Sequence, residues 1–255
     1  MEFRLAVGQI DSALDPQERL DWLRSVLADL KADLLLLPEL FATGYNVGDA
    51  LTERAETADG PTAKVISALA RQCGIAVYYG FVEAANGVIY NSAQCFGPDG
   101  TRLGGHRKLA IPPGFERDVF TPGQGCSVFE YKGIRIGTLI CYDAEFGETA
   151  RHVAGLGADL ILVPTALGAD WGWVARAMIP TRGFENGVFL AYAISAGVEN
   201  GLTYLGESFI GAPDGVELAR AGPVPEIVMA DIDVTRVQAA QARLPYLVDR
   251  KALKF

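Results

Sequence analysis

The chain has 255 residues, half of them apolar, which suffices for a large core in one big α/β domain or two small ones. Its net charge is −9 and no run of Lys and Arg outgrows a pair such as Arg107-Lys108, so it lacks an electrostatic footprint for nucleic-acid phosphates. The longest apolar runs, Leu34 to Pro38 and Leu160 to Pro164, are too short to span a bilayer, and four widely spaced cysteines with only His106 and His152 argue against a zinc site or a disulfide framework.

Met1 to Arg4 reads as the start of a strand rather than a signal peptide, and the expected compartment is cytoplasmic. Phe3 to Val7 alternates like a half-buried strand, and Asp15-Pro16 supplies a helix N-cap and first turn. Leu20, Leu23, Val26, Leu27 and Leu30 then share one helical face, and Leu34 to Leu37 reads as a strand buried on both faces that ends at Pro38-Glu39. The cycle repeats with a helix from Pro61 to Cys73, stopped by Gly74, and a strand from Ile75 to Phe81.

Gln94 to Thr101 and Ile210 to Val216 each carry Pro-Asp-Gly between apolar flanks, which predicts two hairpins, counterparts in two related halves. Between them lie predicted strands Ile134 to Ile140, Leu160 to Val163 and Val188 to Ile194, with helices through His152 to Leu156 and from Val174 to Asn186. This alternation argues for a mixed pair of sheets covered by helices, with residues 1–255 as one domain and no linker inside it.

Three residues invite chemistry. Cys141 stands where an apolar strand runs into polar residues and a helix; it is either an exposed nucleophile on a rigid support or a small buried apolar residue. Glu39 follows Leu34 to Pro38 and precedes Leu40-Phe41. A carboxylate embedded there either turns outward at the strand end or is buried with a partner or a task, and burial would favour its protonated form. Lys108 is either a solvated surface residue or the donor that an acyl-transfer nucleophile needs for its developing oxyanion.

Leu37-Pro38-Glu39-Leu40, then Arg107-Lys108 through Glu116 to Phe120-Thr121-Pro122-Gly123, then Ile140-Cys141-Tyr142-Asp143-Ala144-Glu145-Phe146, and finally Arg182-Gly183-Phe184-Glu185-Asn186 occur in the order and approximate spacing of the nitrilase superfamily of carbon–nitrogen hydrolases. The resemblance covers nearly the whole chain. It implies a four-layer α-β-β-α sandwich, assembled as a homodimer or higher homo-oligomer, with Glu39, Lys108 and Cys141 as catalytic triad and no metal or other cofactor. Glu116 would hold Lys108 and help to position substrate and base. The backbone N–H of Tyr142 would share the oxyanion with Lys108. The sequence departs from the usual pattern at Leu109 to Pro113, directly after the lysine, and at Gly183 in place of alanine.

The same resemblance points to a small-molecule amide as substrate, because Tyr142-Asp143 follows the cysteine where nitrile-cleaving relatives carry tryptophan. Glu145 stands where relatives that bind a substrate carboxylate carry arginine. An acid there repels an anion and attracts an amine. Phe41 to Asn46, Val88 to Ser92 and Leu244 to Arg250 look most like the aliphatic amidases that include 5-aminopentanamidase. Glu145, Tyr45, Asp170 and Trp171 are the expected substrate-binding residues, with packing as the alternative role for Asp170 and Trp171. Rival readings are an N-carbamoyl-amine hydrolase using the same triad, a Cys–His hydrolase using His152, and a scaffold relative that has lost activity.

Overall fold

The computed structural model describes residues 3–254; the expectation for Met1 and Glu2 lies outside the described residues. Fourteen strands form in chain order: β1 Phe3–Gln9, β2 Leu34–Leu36, β3 Ala76–Ala85, β4 Val88–Phe96, β5 Arg102–Arg107, β6 Val128–Tyr131, β7 Ile134–Thr138, β8 Leu160–Thr165, β9 Phe189–Ile194, β10 Val198–Glu199, β11 Leu202–Thr203, β12 Phe209–Gly211, β13 Glu217–Arg220 and β14 Glu226–Ile232. The helices are α1 Pro16–Asp29, α2 Ala50–Glu53, α3 Pro61–Cys73, α4 Glu116–Val119, α5 Gly147–Gly155, α6 Ile179–Asn186, α7 Thr235–Arg243 and α8 Tyr246–Asp249. Among the described residues no helix is long and apolar enough to cross a membrane.

Two six-stranded sheets result, ordered β14-β1-β2-β3-β4-β5 and β13-β12-β9-β8-β7-β6, with β10 and β11 as a separate hairpin. Their inner faces meet through Leu5, Val7, Leu36 and Tyr78 on one side and Ile136, Leu160, Phe189 and Ala191 on the other. Alternate residues of the same strands face outward. Leu35, Val77 and Tyr79 pack under Leu23 and Leu27 of α1 and Ile66 and Leu69 of α3. Ile161, Val163 and Leu190 pack under Ala150 and Val153 of α5 and Ile179 of α6. Helix, sheet, sheet, helix is the layering expected from the sequence, and each central strand is apolar on both faces because each face meets a different layer.

Local chemistry explains the element ends. Asp15 caps α1 by accepting from Glu18 N at 2.8 Å while the Glu18 side chain accepts from Asp15 N at 2.8 Å, a complete capping box behind Pro16. Gly74 ends α3 at φ +70°, a left-handed turn that costs glycine no steric penalty. The helix expected from Val174 to Asn186 opens instead as a π-helical turn over Val174–Met178 before α6. Pro180, which lacks an N–H, is inside the pattern and removes one α-helical bond.

The two Pro-Asp-Gly segments are hairpins of one design. Gly97 N donates to Thr101 O and Gly100 N to Gly97 O, both at 2.8 Å; Ala212 N donates to Val216 O at 2.8 Å and Gly215 N to Ala212 O at 3.1 Å. They join β4 to β5 and β12 to β13, the corresponding edges of the two sheets.

Candidate active site

Each reactive side chain stands where a strand runs out. Past β2, Leu37 N still donates to Tyr78 O at 2.8 Å; the chain then turns at Pro38-Glu39-Leu40, with Leu40 at φ +49°. Gly80 of β3 permits this turn, since a Cβ there would lie 2.3 Å from Leu40 N. Past β5, Lys108 N donates to Asn91 O at 2.8 Å and Lys108 O accepts from Gly123 N at 2.7 Å. Past β7, Leu139 N donates to Leu162 O, and Cys141 opens a 3-10 turn at φ +46°. A left-handed residue other than glycine costs on the order of 1–3 kcal/mol, and such strain gathers at functional sites.

The three ends converge in a buried cluster. Lys108 Nζ donates to Glu39 Oε1 at 2.7 Å and to Glu116 Oε2 and Oε1 at 2.8 and 3.0 Å, with its side chain sealed from solvent. Asn91 Nδ2 donates to Glu39 Oε1 at 2.7 Å and to Glu116 Oε2 at 3.3 Å, and the Tyr45 hydroxyl donates to Glu116 Oε1 at 2.6 Å. Ala166 N, just past β8, donates to Glu39 Oε2 at 2.9 Å. The Ala166 main chain also pulls the Cys141 thiol downward, a minor influence beside burial.

Burial holds the Glu39 carboxyl above the usual carboxylate range; Glu116 adds to this, while Lys108 and Asn91 pull it back. Burial works against the Lys108 charge, but the attraction of Glu39 and Glu116 outweighs it and keeps the ammonium charged well beyond its ordinary range. Burial and Glu39 push the Cys141 thiol well up, so it is neutral at rest. Burial likewise keeps the Tyr45 hydroxyl protonated, as its donation to Glu116 requires. An ammonium has three N–H groups, and Lys108 Nζ meets three carboxylate oxygens, two of them on Glu116.

Glu145 lies four residues after Cys141, half-buried. Burial raises its carboxyl, with Lys108 and Arg182 pulling the other way, and among the described residues its side chain takes part in no hydrogen bond or ion pair. Its main-chain oxygen is held by Arg182 Nη2 at 2.6 Å. Asp170 and Trp171 are not drawn into the cluster. They sit on an exposed 3-10 turn after β8, where 64% of Trp171 is open to solvent. His152 is exposed on α5, and Cys95 is sealed in the inter-sheet core, away from charge.

Two participants were not singled out from the sequence. Asn91 had a signal, an amide in a strand otherwise paired through its buried stretch. Glu199 had none: it accepts from Tyr45 N and Asn46 N at 3.1 and 2.7 Å, from the Tyr204 hydroxyl at 2.7 Å and from Arg19 Nη2 at 3.1 Å, and so holds the Tyr45 loop.

The family described as carbon-nitrogen hydrolase matches residues 4–242. The chain belongs to this family. This carbon–nitrogen hydrolase is 41% identical over 223 residues to the "hydrolase in pqqF 5'region" of Pseudomonas protegens, covering 86% of this chain and 78% of that one. It is 33% identical over 251 residues to an (R)-stereoselective amidase of a Pseudomonas species, covering 98% and 90%. A mutant of the amidase from Nesterenkonia sp. AN1, solved with acrylamide joined by Michael addition to its active-site cysteine, superposes with a TM-score of 0.84 at 31% identity over 98% of this chain and 100% of that chain. Another mutant of that amidase, in complex with butyramide, gives 0.82 at 31% identity over 98% and 97%. These matches place the hydrolase in the nitrilase superfamily and its amidase class, with the α-β-β-α fold expected.

Proposed function

We propose that this hydrolase cleaves the C–N bond of a small aliphatic carboxamide, preferentially one bearing an amine, such as 5-aminopentanamide, to a carboxylic acid and ammonia. The carrying observation is the buried Glu39 carboxylate, held by Lys108 Nζ at 2.7 Å through one oxygen and by Ala166 N at 2.9 Å through the other, with the buried Cys141 thiol close enough to feel both Glu39 and Lys108.

In this mechanism the neutral Cys141 thiol gives its proton to Glu39 as the sulfur attacks the amide carbon. A Lys108 N–H, turned from its two-oxygen contact with Glu116, and the backbone N–H of Tyr142 hold the tetrahedral oxygen. Glu39 passes the proton to the leaving nitrogen, the C–N bond breaks, and ammonia departs from a thioester. Water, deprotonated by Glu39, attacks that thioester; the acid leaves and the proton returns to the thiol. A carboxyl raised by burial suits a group that takes and returns a proton in each half-reaction. Glu116, Asn91 and the Tyr45 hydroxyl hold the ammonium and Glu39 in place.

Glu145 supports the amine preference: it is an unpaired, half-buried carboxylate that feels the charge of Lys108, and a substrate ammonium would give it a partner. Asp170 and Trp171 form the rim of the approach in this reading. Phe184 and Tyr246, partly exposed beside Leu253 around one groove, support a homodimer, which sedimentation would reveal. Four free thiols suit a reducing, cytoplasmic compartment.

The test is ammonia release across aminoamides, plain aliphatic amides, carbamoyl-amines and ω-amides of diacids, for the wild type and for Cys141→Ala and Glu39→Gln. Aminoamides are expected to give the highest kcat/KM, with either substitution lowering it at least about 10²-fold. Best turnover of the diacid ω-amides would refute the role given to Glu145, and carbon dioxide release from carbamoyl-amines as best substrates would refute the amide assignment.

A further inference from the structure

Lys108 and Cys141 belong to different sheets, the first following β5 and the second β7, so no strand ladder fixes one against the other. One carboxylate bridges them. Asp143, fully buried, accepts through Oδ1 from Leu109 N at 2.9 Å and Ala110 N at 2.7 Å. Through Oδ2 it accepts from Ile140 N at 3.1 Å, and His106 Nε2 lies 2.9 Å from the same oxygen. Residues 106, 109 and 110 bracket the lysine; residues 140 and 143 bracket the cysteine.

The bridge is anchored at its own end as well. Asp143 N donates to Ile140 O at 3.0 Å, and Asp143 O accepts from the Thr149 hydroxyl. A buried carboxyl group met by three backbone N–H groups and the His106 ring is satisfied and geometrically restrained. Among the described residues Asp143 makes no hydrogen bond to Glu39, Lys108 or Glu116, so any influence on them runs through the main chain it holds.

We propose that Asp143 is a positioning residue for C–N hydrolysis: it sets the separation between the Cys141 sulfur and the Lys108 ammonium. The inference rests on the reading of these two groups as nucleophile and oxyanion donor. An oxyanion donor acts only when it stands roughly 2.7–3.1 Å from where the oxygen will be, and a displacement of about 1 Å can cost about 10² in rate. Two segments from separate sheets need such a tie.

Asp143→Asn conserves volume and one acceptor for Leu109 and Ala110 but turns an NH2 toward Ile140 N–H and His106. The expected result is a fall in kcat of about 10² on a good amide substrate, with KM changed by less than about threefold. Thiolation of Cys141 by methyl methanethiosulfonate needs the nucleophile and no oxyanion donor, and is expected to hold within about threefold of wild type. Equal losses in both assays would overturn the proposal, as would an undiminished kcat or a loss confined to KM. Should Asp143→Asn fail to fold, His106→Leu removes one of the four contacts of that carboxyl group and is expected to lower kcat by about tenfold at unchanged thiolation, a wild-type kcat overturning the proposal. Lys108→Met and Cys141→Ala run alongside: wild-type turnover in either would sink the assignment of nucleophile and oxyanion donor, whatever the Asp143 variants do.

Discussion

Asn91 Nδ2 donates to Glu39 Oε1 at 2.7 Å, from a strand position that is closed to solvent. Burial holds the Glu39 carboxyl high, and Asn91 is one of the groups that pull it down. A base must be ionised to accept the thiol proton, so the rate falls as pH drops through the pKa of Glu39. The acidic limb of kcat/KM is therefore expected above the ordinary carboxylate range, and Asn91→Leu is expected to move it to still higher pH. A pH–rate profile checks this; an unmoved limb would detach Asn91 from the proton carrier.

Glu116 acts with the opposite sign, since its charge raises the Glu39 carboxyl. Glu116→Gln is expected to shift the acidic limb to lower pH. It also takes from Lys108 an ionic acceptor contacted at 2.8 and 3.0 Å, so kcat at the optimum is expected to drop by about 10². The same titration reads both effects, and a limb that moves upward contradicts the sign.

Gly80 tests the support beneath Glu39. A methyl group there would stand 2.3 Å from Leu40 N and 3.0 Å from Glu39 Cα, neither of them a flexible tip. Gly80→Ala is expected to cost about 1–3 kcal/mol in denaturant unfolding, with a loss of kcat beyond what the remaining folded fraction explains. A variant as active and stable as wild type would show that the turn has room to move.

The Arg19–Glu199 pair tests the Tyr45 loop. Both side chains are buried; burial lowers the Arg19 guanidinium while Glu199 opposes that. Arg19→Met leaves a buried carboxylate without its cation and is expected to cost about 3–5 kcal/mol, measurable by urea unfolding. Arg19→Met with Glu199→Gln is expected to recover part of that loss. No recovery would mean that the arginine acts through its bonds to Ser12 O and Leu14 O, both at 2.7 Å, and not through the charge pair.

What the sequence discloses is what repeats locally. The apolar faces of α1 and α3, their caps and the Pro-Asp-Gly turns all follow from neighbours within a few positions, and Glu39 and Cys141 stand out because each ends an apolar run. Arg19 and Glu199 leave no such trace: 180 residues separate them, and each alone reads as an ordinary surface charge. The β10–β11 hairpin that carries Glu199 has two-residue strands, too short for any alternation to register. Asp143 was visible only as one letter of a motif, because its partners at 106, 109 and 110 arrive from the other sheet. Pro180, which lacks an N–H, stands in the first turn of α6 directly after the π-helical turn, inside the span expected as one helix.

The paired hairpins carry a larger consequence. From β1 to β5 the neighbours run parallel, parallel, antiparallel, antiparallel, and β7, β8, β9, β12 and β13 repeat that order. Glu39 after β2 and Ala166 after β8 thus occupy matching stations, joined by a 2.9 Å bond. The protein is built like a duplicated unit whose copies have diverged, one carrying Glu39 and Lys108, the other Cys141. Severing the chain between β5 and β6 would leave Glu39 on one fragment and Cys141 on the other, and β14, which returns to pair with β1, interlocks them.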